Sequence, residues 1–216
     1  MTDLDFATMR RAMVASQLRT TGVNDPRVIA AMGEVPRETF LPAERALLAY
    51  ADTMLPLGDG RAMNPPMALG RLLTEARLDG SERALVIGAA TGYAAAVMAR
   101  LTASVVALEQ DAKLAAEARA ALAGTAVELV EGPLGRGWAA GAPYDVVLID
   151  GAVEEVPQEI VDQVADGGRI ALALLDRGVA RLAVGRVVGG AFGAVTYADA
   201  AVAPLPGFEK PKIFSF

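Results

Sequence analysis

Apolar residues run unbroken from Ala84 to Ile87 and give way to a glycine turn at Gly88 to Gly92. They return in an alanine-rich stretch of helix length and close in a second apolar run, Val105 to Leu108, capped by Glu109. Strand, tight turn, helix and strand make the unit that brings backbone amides to a helix start and a carboxylate to the next strand tip. Runs of the same kind at Val127 to Val130, Val146 to Ile149 and Ile170 to Leu175 alternate with helical stretches at Tyr93 to Leu101, Asp111 to Ala123 and Pro157 to Ala165. That alternation predicts an α/β fold with a parallel sheet buried on both faces. Val179 to Tyr197, rich in Gly and Val, is expected to add antiparallel edge strands.

Upstream, Phe6, Met9, Met13, Val14 and Leu18 fall on one face of a helix spanning Phe6 to Arg19. Asp25-Pro26 signals the start of a second helix that runs through Met32, and Val35-Pro36 stops it. The Pro- and Gly-dense stretch from Phe40 to Gly60 reads as a long loop over the domain, followed by a helix from Pro66 to Ala76. The chain therefore divides into an N-terminal helical segment with its loop, residues 1–78, packed on a core of residues 79–216, forming one structural domain overall. The closely spaced aromatics from Phe208 to Phe214 and Phe216 are expected to dock rather than hang free.

Composition narrows the chemistry. Twenty Lys and Arg stand against 26 Asp and Glu, a net charge of −6, and no basic block interleaves with aromatics, which argues against a nucleic-acid surface. The chain has no cysteine and no histidine, removing thiolate metal sites, the commonest metal ligand and the commonest general base. No metal site is expected. No secretory leader or membrane span is visible, and a cytoplasmic location is the expectation.

The glycine turn discriminates between cofactors. A dinucleotide fingerprint needs glycines at Gly88, Ala90 and Tyr93, and two of the three fail. The turn of Rossmann-like methyltransferases places them at Gly88, Ala90 and Gly92, and two of the three hold. Glu109 follows Gly88 by 21 residues, at a strand tip where a carboxylate can accept both ribose hydroxyls. Plain turn glycines and a solvated strand end would give the same letters.

Longer words decide the family. Met13-Val14-Ala15-Ser16-Gln17-Leu18-Arg19, Asp25-Pro26-Arg27-Val28-Ile29, Val35-Pro36-Arg37-Glu38-Thr39-Phe40, Ala49-Tyr50-Ala51-Asp52 and Leu55-Pro56-Leu57-Gly58 resemble the N-terminal segment of protein-L-isoaspartate O-methyltransferases. Gly88 to Tyr93, Arg136-Gly137-Trp138, Pro143-Tyr144-Asp145 and Gly167-Gly168-Arg169 extend the resemblance through the core. It implies a Rossmann-like S-adenosylmethionine-dependent methyltransferase fold, with a mostly parallel seven-stranded sheet, helices on both faces and an N-terminal helical extension. It also implies S-adenosylmethionine as cofactor, and as substrate an isoaspartyl-containing protein or peptide, or another carboxylate acceptor. The oligomer is expected to be a monomer or homodimer. A carboxylate is ionised near neutral pH, so methylating it needs alignment rather than a base, which suits a chain without histidine.

By register with the family, Asn64 is the catalytic positioning residue, standing where the family has Ser. Gly88, Ala90, Gly92, Tyr93, Glu109, Gly132 and Asp150 are the expected cofactor contacts. Asn64 equally suits a cap for the helix entered through Pro65-Pro66. Other departures weaken the expected grip: Val86 replaces an acidic residue, Ala90 a glycine, and Pro133 an Asp that would face the adenine amino group, with Asp150 and Glu131 as candidate compensators. Asp59 stands where the family usually has histidine. Arg61 beside it reads either as a lure for a substrate carboxylate or, more simply, as a solvated loop charge. Trp138 reads as core packing or as a flank of the adenine pocket. A family member that retains the fold as a binding module, or one with a different acceptor, would share these features.

Overall fold

The structure is a computed structural model, and it describes residues 5–210. Two helices open it, α1 (Phe6–Met13) and α2 (Pro26–Glu34), and the chain leaves α1 through a π-helical turn at Val14–Leu18. The Asp25 side chain accepts the Arg27 N–H at the start of α2 and Pro26 occupies its first turn, a cap contributing about 1 kcal/mol. The expected long loop is not wholly irregular. It contains a small antiparallel hairpin of β1 (Leu55–Gly58) and β2 (Arg61–Met63), turned by Asp59 and Gly60 at φ 46° and 76°. Two successive left-handed residues give the tight hairpin turn whose twist matches the flanking strands. Helix α3 (Pro66–Ala76) follows as expected.

The core alternates β3 (Arg83–Ile87), α4 (Tyr93–Met98), β4 (Ser104–Glu109), α5 (Ala112–Ala121), β5 (Val127–Glu131), β6 (Tyr144–Val153), α6 (Gln158–Val161) and β7 (Val164–Asp176). Two antiparallel strands, β8 (Val179–Val188) and β9 (Ala191–Asp199), complete a seven-stranded sheet of order β5-β4-β3-β6-β7-β8-β9. The predicted mostly parallel sheet is therefore present. The helix expected over Pro157 to Ala165 shrinks to four residues because the next backbone is committed to the sheet: the Tyr144 N–H donates to the Gln163 carbonyl at 2.9 Å, and Tyr144 pairs with Val164.

One apolar cluster joins Met13, Leu18 and Met32 of the N-terminal helices to Val97 of α4 and to Val86 and Leu148 of the sheet. A second, on the opposite face, holds Leu85, Ile87, Val147 and Ile149 together with Leu205 and Phe208. The tail expectation is met as far as Phe208; Phe214 and Phe216 lie outside the described residues. No helix of the described residues is long and apolar enough to cross a membrane.

Successive strands run outward from β3 in one direction and from β6 in the other. The order thus reverses between β3 and β6, and the carboxyl ends of those two strands define the crevice where sheets of this kind bind ligands.

Candidate active site

The glycine turn leaves β3 at this crevice. The Gly88 and Ala89 N–H groups both donate to the Leu108 carbonyl at 3.0 Å, which ties the turn to the end of β4. Ala90 sits in the left-handed region at φ 49°, a conformation that costs an L-residue about 1 kcal/mol or more. Its N–H donates to Glu109 at 2.7 Å, an interaction that helps hold it there. Thr91 donates to the Phe40 carbonyl at 2.6 Å, and Tyr93 packs edge-on to Phe40 under the Arg37 guanidinium, 4.6 Å from the ring centroid. The Tyr93 hydroxyl is buried and unpartnered, and burial pushes its pKa up.

Glu109 reaches the crevice from the tip of β4, as expected, but it is 0% exposed and fully engaged. Arg61, on β2, donates to its two oxygens at 2.5 and 2.9 Å, and the N–H groups of Gln110 and Asp111 donate at 2.9 and 3.0 Å. Arg61 is only 6% exposed, which corrects the reading of a solvated loop charge: the hairpin turns its guanidinium inward, and the buried carboxylate is the partner that makes burial tolerable. Asp59, at the hairpin tip, is exposed.

Asn64 does not cap α3, whose start carries no side-chain cap. Its amide instead joins three segments. Nδ2 donates at 3.0 Å to both the carbonyl and a carboxylate oxygen of Asp150, and Oδ1 accepts the Ala203 N–H at 2.9 Å. The Asn64 carbonyl accepts from Arg37 at 2.5 Å. Burial pushes the Asp150 carboxyl above its ordinary value, against the pull of the Asn64 hydrogen bond and the Arg37 and Arg61 charges.

The remaining expected contacts are divided. The Gly132 N–H donates to the Glu109 carbonyl at 3.1 Å, and Gly132 faces the Trp138 ring, which packs with the second apolar cluster. Pro133 is exposed and brings no donor, and Glu131 pairs with Arg119 at 2.9 Å on the surface, on the outermost strand. The structure thus brings Asn64, Gly88, Ala90, Glu109 and Asp150 to one place, with Gly92 and Tyr93 beneath it and Gly132 at its side.

Sequence reasoning missed two neighbours of the crevice. Leu205 packs over Gly88, where an added Cβ would lie 2.9 Å from its Cδ1, and over Gly151, where an added Cβ would collide with it. The chain segment is held there by reciprocal bonds with Ala152, whose N–H donates to the Ala203 carbonyl at 2.8 Å and whose carbonyl accepts the Leu205 N–H at 2.9 Å. The only signal in the letters was the Leu205-Pro206-Gly207-Phe208 word of the tail. The second is Arg61, through its pair with Glu109. With five donors already on Glu109, its carboxylate has no lone pair left for a ribose diol in this arrangement. Among the described residues, no three His, Cys, Asp or Glu side chains are grouped to hold a metal ion.

Comparison with known proteins agrees with this layout. Residues 9–184 match the family model for protein-L-isoaspartate(D-aspartate) O-methyltransferase (PCMT). The chain is 42% identical over 170 residues to protein-L-isoaspartate O-methyltransferase 1 of Rhodopseudomonas palustris, covering 77% of this chain and 69% of the relative. A solved protein-L-isoaspartate O-methyltransferase superposes with a TM-score of 0.80 at 25% identity, over 92% of this chain and 66% of that one. A second, a β-aspartate methyltransferase (PCMT) from Plasmodium falciparum solved in complex with S-adenosyl-L-homocysteine, shares the fold with a TM-score of 0.75 at 16% identity, over 91% and 97% of the two chains. Sheet order, glycine turn, strand-tip carboxylate and a family match across most of the length converge, and the chain belongs to the protein-L-isoaspartate(D-aspartate) O-methyltransferase family.

Proposed function

We propose that the chain is an S-adenosylmethionine-dependent carboxyl O-methyltransferase acting on isoaspartyl side chains of proteins or peptides. The observation that carries this reading is that Asn64, bonded to Asp150 on β6, and Glu109, bonded to the glycine turn through the Ala90 N–H, both stand at the β3/β6 crevice. The cofactor would supply an electrophilic methyl group. The protein's part is to hold an ionised carboxylate in line with it, and no general base is required. Asn64 has the donor needed to orient such a carboxylate once its Nδ2 leaves Asp150.

The test is transfer of labelled methyl from S-adenosylmethionine to an isoaspartyl peptide, with the corresponding aspartyl peptide as control. Alkali-labile label on the isoaspartyl peptide alone is the expected result. Label on another carboxylate but not on this one would overturn the acceptor assignment. A second reading, a family member that keeps the fold as a binding module, is favoured by the saturation of Glu109 together with Pro133 and Val86, and it predicts no label on any acceptor.

A further inference from the structure

We propose that the outer edge of β9 is an interface for a second copy of this chain. The two β9 strands pair antiparallel about Ala194, so that the two seven-stranded sheets run into one. This interface does not depend on the chemistry assigned to the crevice.

The sheet has two edges, and only one is defended. β5 forms the first, and Glu128 and Glu131 are two of its five residues, so a copy of the same strand laid beside it meets like charge. β9 forms the second. From Ala191 to Ala198 it has neither a charged residue nor a proline, and its pairing with β8 is continuous from Ala191 to Thr196, the one register shift falling beyond Thr196. Among the described residues no strand pairs with its outer edge. An uncharged, unbroken edge presents a row of open N–H and C=O groups, which natural sheets blunt with charge, proline or bulges unless a strand is to be added there.

The side chains name the occupant. In a two-fold antiparallel pair centred on Ala194, Gly193 faces Val195 of the second copy and Phe192 faces its Thr196. Val195 is 73% exposed, more than any other large apolar side chain among the described residues. Gly193 supplies the matching space, since nothing lies within 4 Å of the Cβ it lacks. Within each copy Gly193 pairs with Arg186 and Val195 with Val184. Pairing therefore sets Val195 between Val184 of its own copy and the aliphatic stem of Arg186 across the glycine, twice over by symmetry. A net charge of −6 drives two copies apart except where they meet through neutral surface, which β9 provides. A strand from an unrelated protein would gain the backbone bonds without this reciprocal seat.

Sedimentation of the full-length chain from about 1 μM to about 1 mM should show a reversible monomer–dimer equilibrium, since one strand pair is a contact at the weak end of interface sizes. Val195→Lys places a cation beside Arg186 of the other copy and should raise the dissociation constant on the order of tenfold or more, even though it reduces the net charge. Val179→Lys, the same change at the exposed start of β8, should leave it unaltered. The chain has no cysteine, so Ala194→Cys gives each copy a single thiol at the two-fold centre, within disulfide reach of its mate. Mild oxidation should link that variant into dimers and leave Ala198→Cys unlinked. Hydrogen exchange of the wild type needs no variant: amides from Ala191 to Thr196 should slow as concentration rises, and those of β5 should not. A chain that stays monomeric across the range, or a dimer whose β9 amides exchange as fast as in the monomer, would overturn the interface.

Discussion

Removing the Arg61 side chain should expose how the crevice is held. Arg61→Met keeps the apolar stem while deleting a guanidinium that is 6% exposed and bidentate on a carboxylate with no exposure. Breaking a buried pair from one side typically costs about 3–5 kcal/mol, most of it the penalty of leaving the other charge buried. Glu109 keeps the amides of Ala90, Gln110 and Asp111, so the cost should fall near about 3 kcal/mol. Glu109→Gln in the same background closes a double-mutant cycle. A coupling energy of about 2 kcal/mol or more is expected, read from urea unfolding at matched m-values. Because the pair is out of solvent, raising the salt concentration should leave that coupling nearly unchanged. A coupling under about 1 kcal/mol that disappears in salt is the signature of a solvent-exposed pair, and it would refute the buried geometry.

Asp150 should make stability pH-dependent in the opposite sense to an ordinary paired carboxylate. Its folded pKa is raised, so wild-type stability should fall as pH rises from the unfolded value of 3.8 through the folded one; Asp150→Asn, which keeps the acceptor for Asn64, should flatten that fall in unfolding midpoints measured from about pH 4 to about pH 8, and an unchanged slope would contradict it. Gly92→Ala should destabilise by about 2–4 kcal/mol, since the position needs φ 101° and the new Cβ would lie 2.9 Å from Leu122 Cδ1; a stability within about 0.5 kcal/mol of wild type would contradict this account of the turn.

The sheet was legible because each of its parallel strands contains a short apolar run set off by turn residues, a pattern set by local chemistry. Glu109 at the strand tip and the glycine turn beneath it could be placed for the same reason. Arg61 could not. A charged residue in a Pro- and Gly-rich loop is solvated unless the fold supplies a buried partner, and Glu109 lies 48 residues further along the chain. Asn64 was ambiguous between cap and ligand because an amide before a Pro-started helix serves either use; its partners Asp150 and Ala203 come from 86 and 139 residues away. The π-helical turn and the short α6 were set by packing and by pairing with β6, neither of which has a periodicity to read.

The chain's one tryptophan, Trp138, packs beside Gly132 at the edge of the crevice, and its main-chain N–H is fixed to Gln163 at 2.7 Å. The protein therefore contains a single indole fluorophore, excitable apart from its tyrosines, on a fixed mount near the glycine turn. Its emission can report rearrangement there in real time without any label, against a background free of other indoles.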